Sequence, residues 1–333
     1  MSQDFMVSVI IPVYQGEKFL NQCIDSVLNQ THEKIEAICV NDGSKDQSLE
    51  ILREYERKDQ RVRVFSQDNR GQSAARNLAL SHAKGKFVVF IDSDDYIGKD
   101  YIKELYDEII KERADMVVCG YTKVDMEGKI LFSKVIEGAE KRKDPIFPLT
   151  YISCNRIISR DLIVKNGFTY WEGVQCEDIP FILKLETAAK KVSYIKGTQY
   201  YYRTNTNSTT EVFKKKGIPR EKIPFAAIKE SVEYSKKYRN RFTEKQLEYY
   251  VCRILTTLIF ELGKKSDPAI VLELCDYSRK ILRTYYPEYN KNPYIKMRSL
   301  KEVPVAHRMG VFLFAFTIKI RCIKPFALLY TRF

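Results

Sequence analysis

The alternation of short apolar runs with helical segments in the first 120 residues constrains the fold more than any other feature. Five short, mainly apolar runs predict strands, the first of them of the kind that is buried on both faces: Val7–Ile11, Ile35–Val40, Val62–Phe65, Phe87–Ile91 and Met116–Cys119. Between them, apolar residues recur at helical spacing over 19–28, 49–55, 73–83 and 101–110. This order predicts βαβ units and an α/β fold: a mixed, mainly parallel sheet flanked by helices.

The later part of the chain differs in both pattern and charge. Residues 1–210 contain 30 basic and 31 acidic residues, whereas residues 211–333 contain 26 basic and 12 acidic residues. Beyond Ile223 the apolar spacing is helical over 228–238, 246–262 and 269–285. We therefore predict a domain 1–210, with halves at about 5–120 and 121–210, and a basic, mostly helical region 211–333. Residues 121–150 are expected to form a hairpin or loop, and Lys214–Pro219 a linker.

Patterns that would indicate several other classes of protein are missing from the sequence. The eight cysteines show neither C-x-x-C nor zinc-ligand spacing, which favours reduced thiols and a cytoplasmic setting. No G-x-G-x-x-G follows the first strand and no G-x-x-x-x-G-K-[ST] occurs, so dinucleotide-binding and P-loop functions lose their main support. We find no signal-peptide pattern in the first 13 residues and no run of 18 apolar residues, so we expect neither secretion nor a membrane span.

Three predicted strands end in polar or aromatic residues, which is typical of a ligand site. These ends read Pro12-Val13-Tyr14, Asn41-Asp42-Gly43-Ser44 and Asp92-Ser93-Asp94-Asp95. In open α/β sheets, ligands bind beyond the carboxyl ends of the strands. Ser44 also has capping-box spacing to Gln47, before the helix at 49–55.

The acidic cluster at 92–95 is the most informative of these ends. Three carboxylates within four residues repel one another, and a hard divalent cation such as Mg²⁺ or Mn²⁺ would compensate them. The alternative is an Asx-rich turn that caps the next helix.

Two further segments carry charge at predicted helix starts. Arg76 and Asn77 lie in the first turn of the helix that begins at Ser73, where an arginine can bind phosphate or carboxylate. The alternative for Arg76 is a surface side chain paired to the acidic cluster. Glu177 and Asp178 precede an apolar run, so they are either catalytic carboxylates or an acidic pair at a helix N-terminus.

Taken in order, these motifs resemble those of the family 2 glycosyltransferases, which have the GT-A fold. The resemblance is carried by Ile10–Tyr14, Asn41–Ser44, Asn69-x-Gly71-x-Ser73-x-x-Arg76-Asn77, Asp92–Asp95 and Glu177-Asp178, and it covers roughly residues 5–210. It implies an inverting, nucleotide-sugar-dependent enzyme of the bacterial surface-polysaccharide type, with a divalent metal, Mn²⁺ or Mg²⁺.

The resemblance also implies the residues that contact the donor. Pro12 and Tyr14 would line the nucleobase pocket, and Asp42 would hydrogen-bond the base, usually uracil in this family. Arg76 would lie near the base and phosphates. The ribose side of the donor would be contacted by Asp92 and Ser93.

The remaining implied roles concern the metal and the acceptor. Asp94 would bind the metal that bridges the diphosphate, and Asp178 would be the general base that deprotonates the acceptor hydroxyl. Trp171, Glu177 and Arg203 are candidates for contacts to the acceptor or the diphosphate. For Trp171 the alternative is simple packing.

The C-terminal tail interleaves aromatic and aliphatic residues with basic ones. The apolar residues of this tail include Phe312, Phe314, Phe316, Ile318 and Ile320, all within Val311–Tyr330. The basic residues Lys319, Arg321 and Lys324 lie among and just after them. We predict that residues 308–333 contact an anionic membrane surface, peripheral on the inner face of the plasma membrane. This would suit a lipid-linked or growing glycan as the acceptor. The alternative is a helix that closes the core of the catalytic domain.

Two other functions compete with sugar transfer. A sugar nucleotidyltransferase would need a Gly-rich loop with a basic residue after the first strand, and Pro12–Lys18 fits this poorly. A transferase-like binding protein without turnover is the other candidate. Nucleic-acid binding is not expected, because the positive charge lies outside the domain that carries the motifs.

Overall fold

A computed structural model describes residues 4–136, 151–205, 209–296, 299–300 and 303–332. These residues fall into two compact units. One comprises the residues up to Gly173 together with Pro180–Asn205, and the other comprises Val174–Ile179 together with the residues after Asn205. The sequence-based boundary near residue 210 lies close to this division, but the structure groups Val174–Ile179 with the C-terminal region instead of with 1–210.

The strands lie in the first unit and form two sheets. In chain order they are β1 (Val7–Val13), β2 (Ile35–Asp42), β3 (Val62–Gln67), β4 (Phe87–Phe90), β5 (Tyr96–Ile97), β6 (Met116–Val118), β7 (Tyr121–Val124), β8 (Ile130–Lys134), β9 (Arg156–Ser159), β10 (Val192–Tyr194) and β11 (Tyr200–Arg203). The seven-stranded sheet has the order β10-β6-β9-β4-β1-β2-β3. Only β9 runs antiparallel to its neighbours in it, so the predicted mainly parallel sheet is confirmed.

The second sheet is small and has the order β5-β11-β7-β8. Strand β11 pairs antiparallel with β5 and parallel with β7, and this attaches it directly after residues 92–95. Strands β7 and β8 form the hairpin that was one of the two expectations for residues 121–150. The rest of that segment, residues 137–150, lies outside the described residues.

Helices flank the large sheet as predicted. They are α1 (Leu20–Leu28), α2 (Ser48–Lys58), α3 (Gln72–His82), α4 (Tyr101–Glu112), α5 (Arg160–Lys165) and α6 (Asp178–Ala188), whose first two residues group with the second unit. The capping box predicted at Ser44 and Gln47 is wrong, because α2 begins at Ser48 with Gln47 as its uncapped N-cap residue. Asp46 instead accepts the backbone N–H of Ser48 at 3.1 Å.

The second unit is helical, as predicted. It contains α7 (Thr209–Lys216), α8 (Phe225–Lys237), α9 (Glu244–Thr257) continued by a π-helical turn (Leu258–Leu262), α10 (Pro268–Tyr285), α11 (Val305–Lys319) and α12 (Ile323–Arg332). The predicted linker at Lys214–Pro219 is wrong in its first half, since residues 214–216 end α7 and Gly217 follows with a φ of 79°.

The tail packs within this helical unit. Helix α11 contacts α9 and α12 of the same unit. None of the helices in the described ranges combines the length and apolar character needed to cross a bilayer.

A buried carboxylate at the start of β2 ties the sheet together. Glu36 accepts hydrogen bonds from Ser8 Oγ on β1 at 2.6 Å, from the Lys84 backbone N–H at 2.6 Å and from Arg63 Nη1 on β3 at 2.7 Å. Burial raises the pKa of Glu36, but these bonds outweigh burial and the net pKa lies below its usual range. One side chain thereby links three adjacent strands and the turn before β4.

Replacing Glu36 by Gln should lower the free energy of unfolding by about 1.5–3 kcal/mol, because the amide NH₂ would face the Arg63 guanidinium and a charge-assisted bond would be lost. Urea unfolding at pH 7 measures this. The folded pKa lies below the unfolded value of about 4.3, so the stabilisation is complete above that pH and disappears as pH falls through the folded pKa.

The matched control is Glu54→Gln, which removes an exposed ion pair to Lys58 and should change stability by less than about 0.5 kcal/mol. Equal unfolding midpoints for Glu36→Gln and wild type at pH 7 would contradict the role given to Glu36.

Candidate functional site

Three of the predicted motifs lie at one edge of the large sheet. Strands β4, β1 and β2 are adjacent and parallel, with Val13 aligned to Asn41, and Ile91 N donates to Ile10 O at 3.0 Å. The segments after these strands therefore open on the same side. Pro12 is buried within β1, while the Tyr14 side chain just beyond it is 46% exposed.

Asp42 holds the loop that leads into α3. Its Oδ1 accepts hydrogen bonds from Gln67 Nε2 and from the Arg70 backbone N–H, both at 2.8 Å, and its Oδ2 accepts one from Gly71 N at 2.8 Å. A Cβ on Gly43, where φ is 70°, would lie 2.8 Å from Asn69 N, so this loop packs closely on the end of β2. The sequence predicted a base contact for Asp42, and this loop-holding role was not foreseen.

Two serine hydroxyl groups hold the turn that carries Tyr14. The backbone N–H groups of Gln15 and Gly16 donate to Ser44 Oγ at 3.0 Å and to Ser48 Oγ at 2.8 Å. Ser44 thus serves the turn after β1 and not the start of α2. Ser93 lies on the other side of this turn, since a Cβ on Gly16 would be 3.4 Å from its Oγ.

Asp92 is compensated by two side chains of α3. Its Oδ1 accepts hydrogen bonds from Gln72 Nε2 and from Arg76 Nη2, both at 2.8 Å. Arg76 is 2% exposed and its guanidinium lies over the Tyr170 ring at 5.1 Å. Pairing of Arg76 to the acidic cluster was one sequence-based alternative, but the side chain is buried instead of lying on the surface. Its contact to a donor stays a prediction.

Asp95 turns into the protein interior. Its carboxylate accepts hydrogen bonds from the Tyr200 hydroxyl at 2.5 Å and from the Arg203 backbone N–H at 2.7 Å, both on β11. Burial raises the pKa of Asp95 well above its ordinary value, and the neighbouring charges of Asp94 and Asp92 raise it further. Tyr200 was not singled out from the sequence beyond the aromatic run in which it stands.

Arg203 anchors the backbone of the acidic loop, which we define as Asp92–Asp95. Its guanidinium donates to Asp94 O at 2.8 Å, to Met126 O at 2.8 Å and to Gln22 Oε1 at 2.7 Å, and it lies over the Phe19 ring at 4.4 Å. The side chain is buried. The contact from Arg203 to a diphosphate or acceptor stays a prediction that this geometry does not favour.

Asp94 is the member of the acidic loop with the least compensation. Its Oδ2 receives only a long contact from Asn205 Nδ2, at 3.5 Å, among its side-chain bonds to described residues. Burial, and next the negative charge of Asp92, raise the pKa of Asp94 to about 6. Such a carboxylate gains most from a cation.

The donor set at Asp94 fits a metal that takes most of its ligands from elsewhere. Within the described ranges, no group of three or more His, Cys, Asp or Glu side chains could hold a metal ion. Mg²⁺ typically binds one or two carboxylates together with waters and substrate phosphates, which matches a single available carboxylate.

Asn77 presents the predicted acceptor aromatic. Its side chain donates to Tyr170 O at 2.9 Å and accepts from Tyr170 N at 2.8 Å, and the Tyr170 ring stacks on Phe181 at 3.9 Å. The next residue, Trp171, is 38% exposed, and Glu172 pairs with Arg70 at 2.8 Å. The sequence placed Asn77 in the helix but gave it no role of its own.

The two predicted carboxylates at 177–178 belong to the second unit. Asp178 is the first residue of α6 and is half-buried, while Glu177 is buried just before it. The helix N-terminal reading is therefore correct for Asp178. Its role as a general base does not conflict with that position and stays a prediction.

Comparison with known proteins adds to this geometry. Residues 8–166, which contain β1–β4, α3 and the acidic loop, match the family model described as Glycosyl transferase family 2. Over these residues the chain is therefore similar to that family. The resemblance identified from the motifs is confirmed at this level.

Similar sequences occur among bacterial proteins named as glycosyltransferases. The uncharacterized glycosyltransferase EpsJ of Bacillus subtilis (strain 168) is 34% identical over 218 residues, covering 62% of this chain and 63% of EpsJ. Glycosyltransferase GlyA of Streptococcus pneumoniae serotype 4 (strain ATCC BAA-334 / TIGR4) is 34% identical over 230 residues, covering 65% of this chain and 33% of GlyA. The chain thus spans less than two thirds of the length of either relative.

Solved structures share the fold of the α/β domain and of the helical region. S. aureus TarS 1–349 in complex with UDP-GlcNAc has a TM-score of 0.72 at 19% identity, covering 95% of this chain and 92% of TarS 1–349. The mannosyltransferase PcManGT from Pyrobaculum calidifontis, in complex with GDP-Man and Mn²⁺, has a TM-score of 0.50 at 17% identity, covering 96% and 89%. The likeness confirms the predicted fold class, an α/β domain with a mostly helical C-terminal region.

Replacing Tyr200 by Phe should lower the free energy of unfolding by about 1–3 kcal/mol, because the buried Asp95 carboxylate would lose one of its donors. Urea unfolding is the measurement. The control is Tyr201→Phe, since Tyr201 stacks on Tyr96 at 4.6 Å and its hydroxyl bonds to no described residue. If both variants lose the same stability, the hydroxyl of Tyr200 does not support the acidic loop.

Proposed function

We propose that the chain is a glycosyltransferase with the GT-A fold that moves a sugar from a nucleoside-diphosphate donor to an acceptor hydroxyl. The observation that carries the proposal is the arrangement at the sheet edge. Asp42 and Asp92 are held by α3 and its preceding loop, while Asp94 has the least compensation of the acidic loop. A uridine donor is the first choice, supported by the UDP-GlcNAc bound to the structurally similar TarS.

Donor binding is assigned to residues along this edge. Tyr14 offers an exposed ring for stacking on the base. Asp42 Oδ2 accepts a hydrogen bond from Gly71 N, which leaves it room to accept another from the base edge. Asp92 faces the ribose, with its carboxylate oriented by Gln72 and Arg76. Pro12 and Ser93 are proposed to line the rest of the donor site.

Asp94 is the residue that would hold the divalent metal, Mn²⁺ or Mg²⁺. Such an ion supplies positive charge beside the diphosphate, whose negative charge grows as the bond to the sugar breaks. The Mn²⁺ in the PcManGT complex supports this choice for a protein of similar fold. Arg203 and Tyr200 keep the loop that carries Asp94 in place by binding its backbone and the Asp95 carboxylate.

Asp178 is proposed as the general base. Its carboxylate would take the proton of the acceptor hydroxyl while the hydroxyl oxygen bonds to the anomeric carbon and the diphosphate leaves from the opposite face. One displacement of this kind inverts the anomeric configuration. Glu177 and Trp171 are proposed neighbours of the acceptor, the latter as a ring on which a sugar face can pack.

The acceptor is proposed to be a lipid-linked sugar or growing glycan of a surface polysaccharide, reached from the cytoplasmic side of the membrane. The free thiols and the absence of a spanning helix among the described residues are compatible with that setting. A transferase-like binding protein without turnover remains the second candidate, and the two differ in the fate of bound donor.

Replacing Asp94 by Asn should weaken UDP binding in the presence of Mn²⁺ by about 10- to 100-fold, because one charged ligand is lost (about 1.5–3 kcal/mol). Calorimetric titration of UDP with Mn²⁺, and again with EDTA, measures this. The control Asp107→Asn removes an exposed carboxylate paired with Lys103 on α4 and should bind UDP like wild type.

Other outcomes of this titration are equally informative. UDP binding that is insensitive to EDTA and to Asp94→Asn would remove the metal from the proposal and leave Arg76 as the phosphate contact. No UDP binding under either condition would remove the uridine donor and turn the search to GDP- and dTDP-sugars.

Replacing Asp178 by Asn should leave UDP affinity unchanged while slowing turnover by about 10²–10⁴-fold, the usual contribution of a general base. Turnover is followed as release of UDP from UDP-glucose, UDP-galactose and UDP-GlcNAc, with water as the acceptor. Asp107→Asn again serves as control. Wild-type protein that binds UDP but never releases it from any nucleotide sugar would favour the non-catalytic alternative.

A further inference from the structure

One face of α11 is apolar and uncovered. Val305, Met309, Phe316 and Ile320 are 59%, 45%, 47% and 46% exposed, and half-buried Phe312 stacks on Phe316 with ring centroids 6.1 Å apart. Their spacings of three and four residues place them on one side of the helix. We call these five residues the α11 stripe. Helix α12, which packs on α11, also exposes Leu329 and Tyr330.

The opposite face of the helix is anchored. Val311, Phe314, Ala315 and Ile318 are buried, so α11 is held in the helical unit by one side while the stripe faces outward. The stripe is therefore not the core-facing side of α11, because a different face of the helix is buried. An ordinary surface helix would carry polar residues there.

The chain segment that carries the stripe is basic. Residues 303–333 contain five basic residues and no acidic one. Lys319 and Arg321 are exposed and make no ion pair with any described residue, whereas Lys324 pairs with Asp276 at 2.8 Å. Lys319 directly precedes Ile320, so a free ammonium group lies beside the end of the stripe.

This combination selects among the partners that an apolar face can have. A second copy that packed the same segment against the stripe would offer no carboxylate from residues 303–333 to pair with Lys319 and Arg321. An anionic bilayer offers both an apolar layer for the stripe and phosphate groups for Lys319 and Arg321. A helix of 15 residues is too short to span, but suits a position in the plane of the interface.

We propose that the α11 stripe is a membrane-docking surface, with the stripe in the acyl–headgroup boundary and Lys319 and Arg321 at the phosphates of anionic lipids. The proposal goes beyond the proposed sugar transfer and does not depend on it, because it rests on exposure and charge in the helical unit alone. It replaces the broad expectation for residues 308–333 with a defined face of one helix.

The test is flotation of the full chain with vesicles of phosphatidylcholine, alone or with 30% phosphatidylglycerol. Wild type should float with the anionic vesicles and at least about tenfold less with neutral ones, and high salt should weaken binding. Phe316→Ser/Ile320→Ser and Lys319→Gln/Arg321→Gln should each lower binding at least about tenfold. Matched controls are Ile130→Ser/Phe132→Ser, which changes exposed apolar residues of β8, and Lys280→Gln/Arg283→Gln, which changes exposed cations of α10.

A spectroscopic reporter keeps the test independent of variant stability. Because Trp171 is the only tryptophan, Phe316→Trp in a Trp171→Phe background reports on the stripe alone. Its emission should shift to the blue with anionic vesicles and be quenched by brominated lipid chains. Tyr238→Trp in the same background, at a position that is 43% exposed in the same unit, should show neither effect.

Three results would overturn the proposal. They are no flotation of wild type, flotation that the stripe and charge variants leave unchanged, and self-association in the absence of lipid that the stripe variants abolish. The last would assign the stripe to a second copy. UDP titration of Phe316→Ser/Ile320→Ser and Lys319→Gln/Arg321→Gln separates this proposal from the transferase, since donor affinity should be unchanged in both.

Discussion

The compensation of carboxylates in the acidic loop is the constraint on which the candidate site depends. Three carboxylates at the end of a buried strand are unstable together unless each receives hydrogen bonds or a counter-charge. The structure meets this need for two of them from opposite directions: α3 supports Asp92, and β11 supports Asp95. Asp94 lies between them with little support, so the loop has a fixed conformation and one carboxylate that still needs a partner.

A carboxylate at the end of β2 also organises the candidate site through hydrogen bonds. Asp42 lies at the same sheet edge as the acidic loop, and its carboxylate organises the loop before α3 through backbone N–H groups. That loop sets where α3 begins, and α3 in turn supplies Gln72 and Arg76 to Asp92. The base side and the phosphate side of the candidate donor site are therefore connected through one loop and one helix. A substitution on either side is therefore expected to alter the geometry of the other side.

Much of the fold followed from the sequence because its signals are local. The runs that form β1, β2 and β4 are mainly apolar, and parallel strands bring their ends to one edge whatever the details of the loops. What could not be predicted depends on pairings between distant segments. The bond from Tyr200 to Asp95 joins residues 105 apart in sequence, and the small sheet that creates it contains strands of only two to five residues.

The errors have physical reasons of the same kind. Ser44 fits a capping pattern, but Gln15 on a neighbouring turn uses its hydroxyl, so a tertiary contact overrides the local motif. Lys214–Gly217 has the composition of a linker, yet residues 214–216 continue α7, because lysine is a good helix former. For Arg203, the sequence predicted a contact to the diphosphate or the acceptor, and only the structure reveals that its guanidinium binds the loop backbone.

The two surfaces proposed as functional share a physical property. In most of the chain the local pattern and the environment agree: apolar runs are buried and charges are solvated or paired. Asp94 breaks this agreement as a half-buried carboxylate with little compensation, and the α11 stripe breaks it as an apolar helical face exposed beside the unpaired cations Lys319 and Arg321. Each mismatch costs stability in the isolated chain, and each would be relieved by a partner of defined chemistry, a cation with a diphosphate in one case and an anionic bilayer in the other. The mismatches lie where folding alone gives no reason for them, which is why both are assigned to binding.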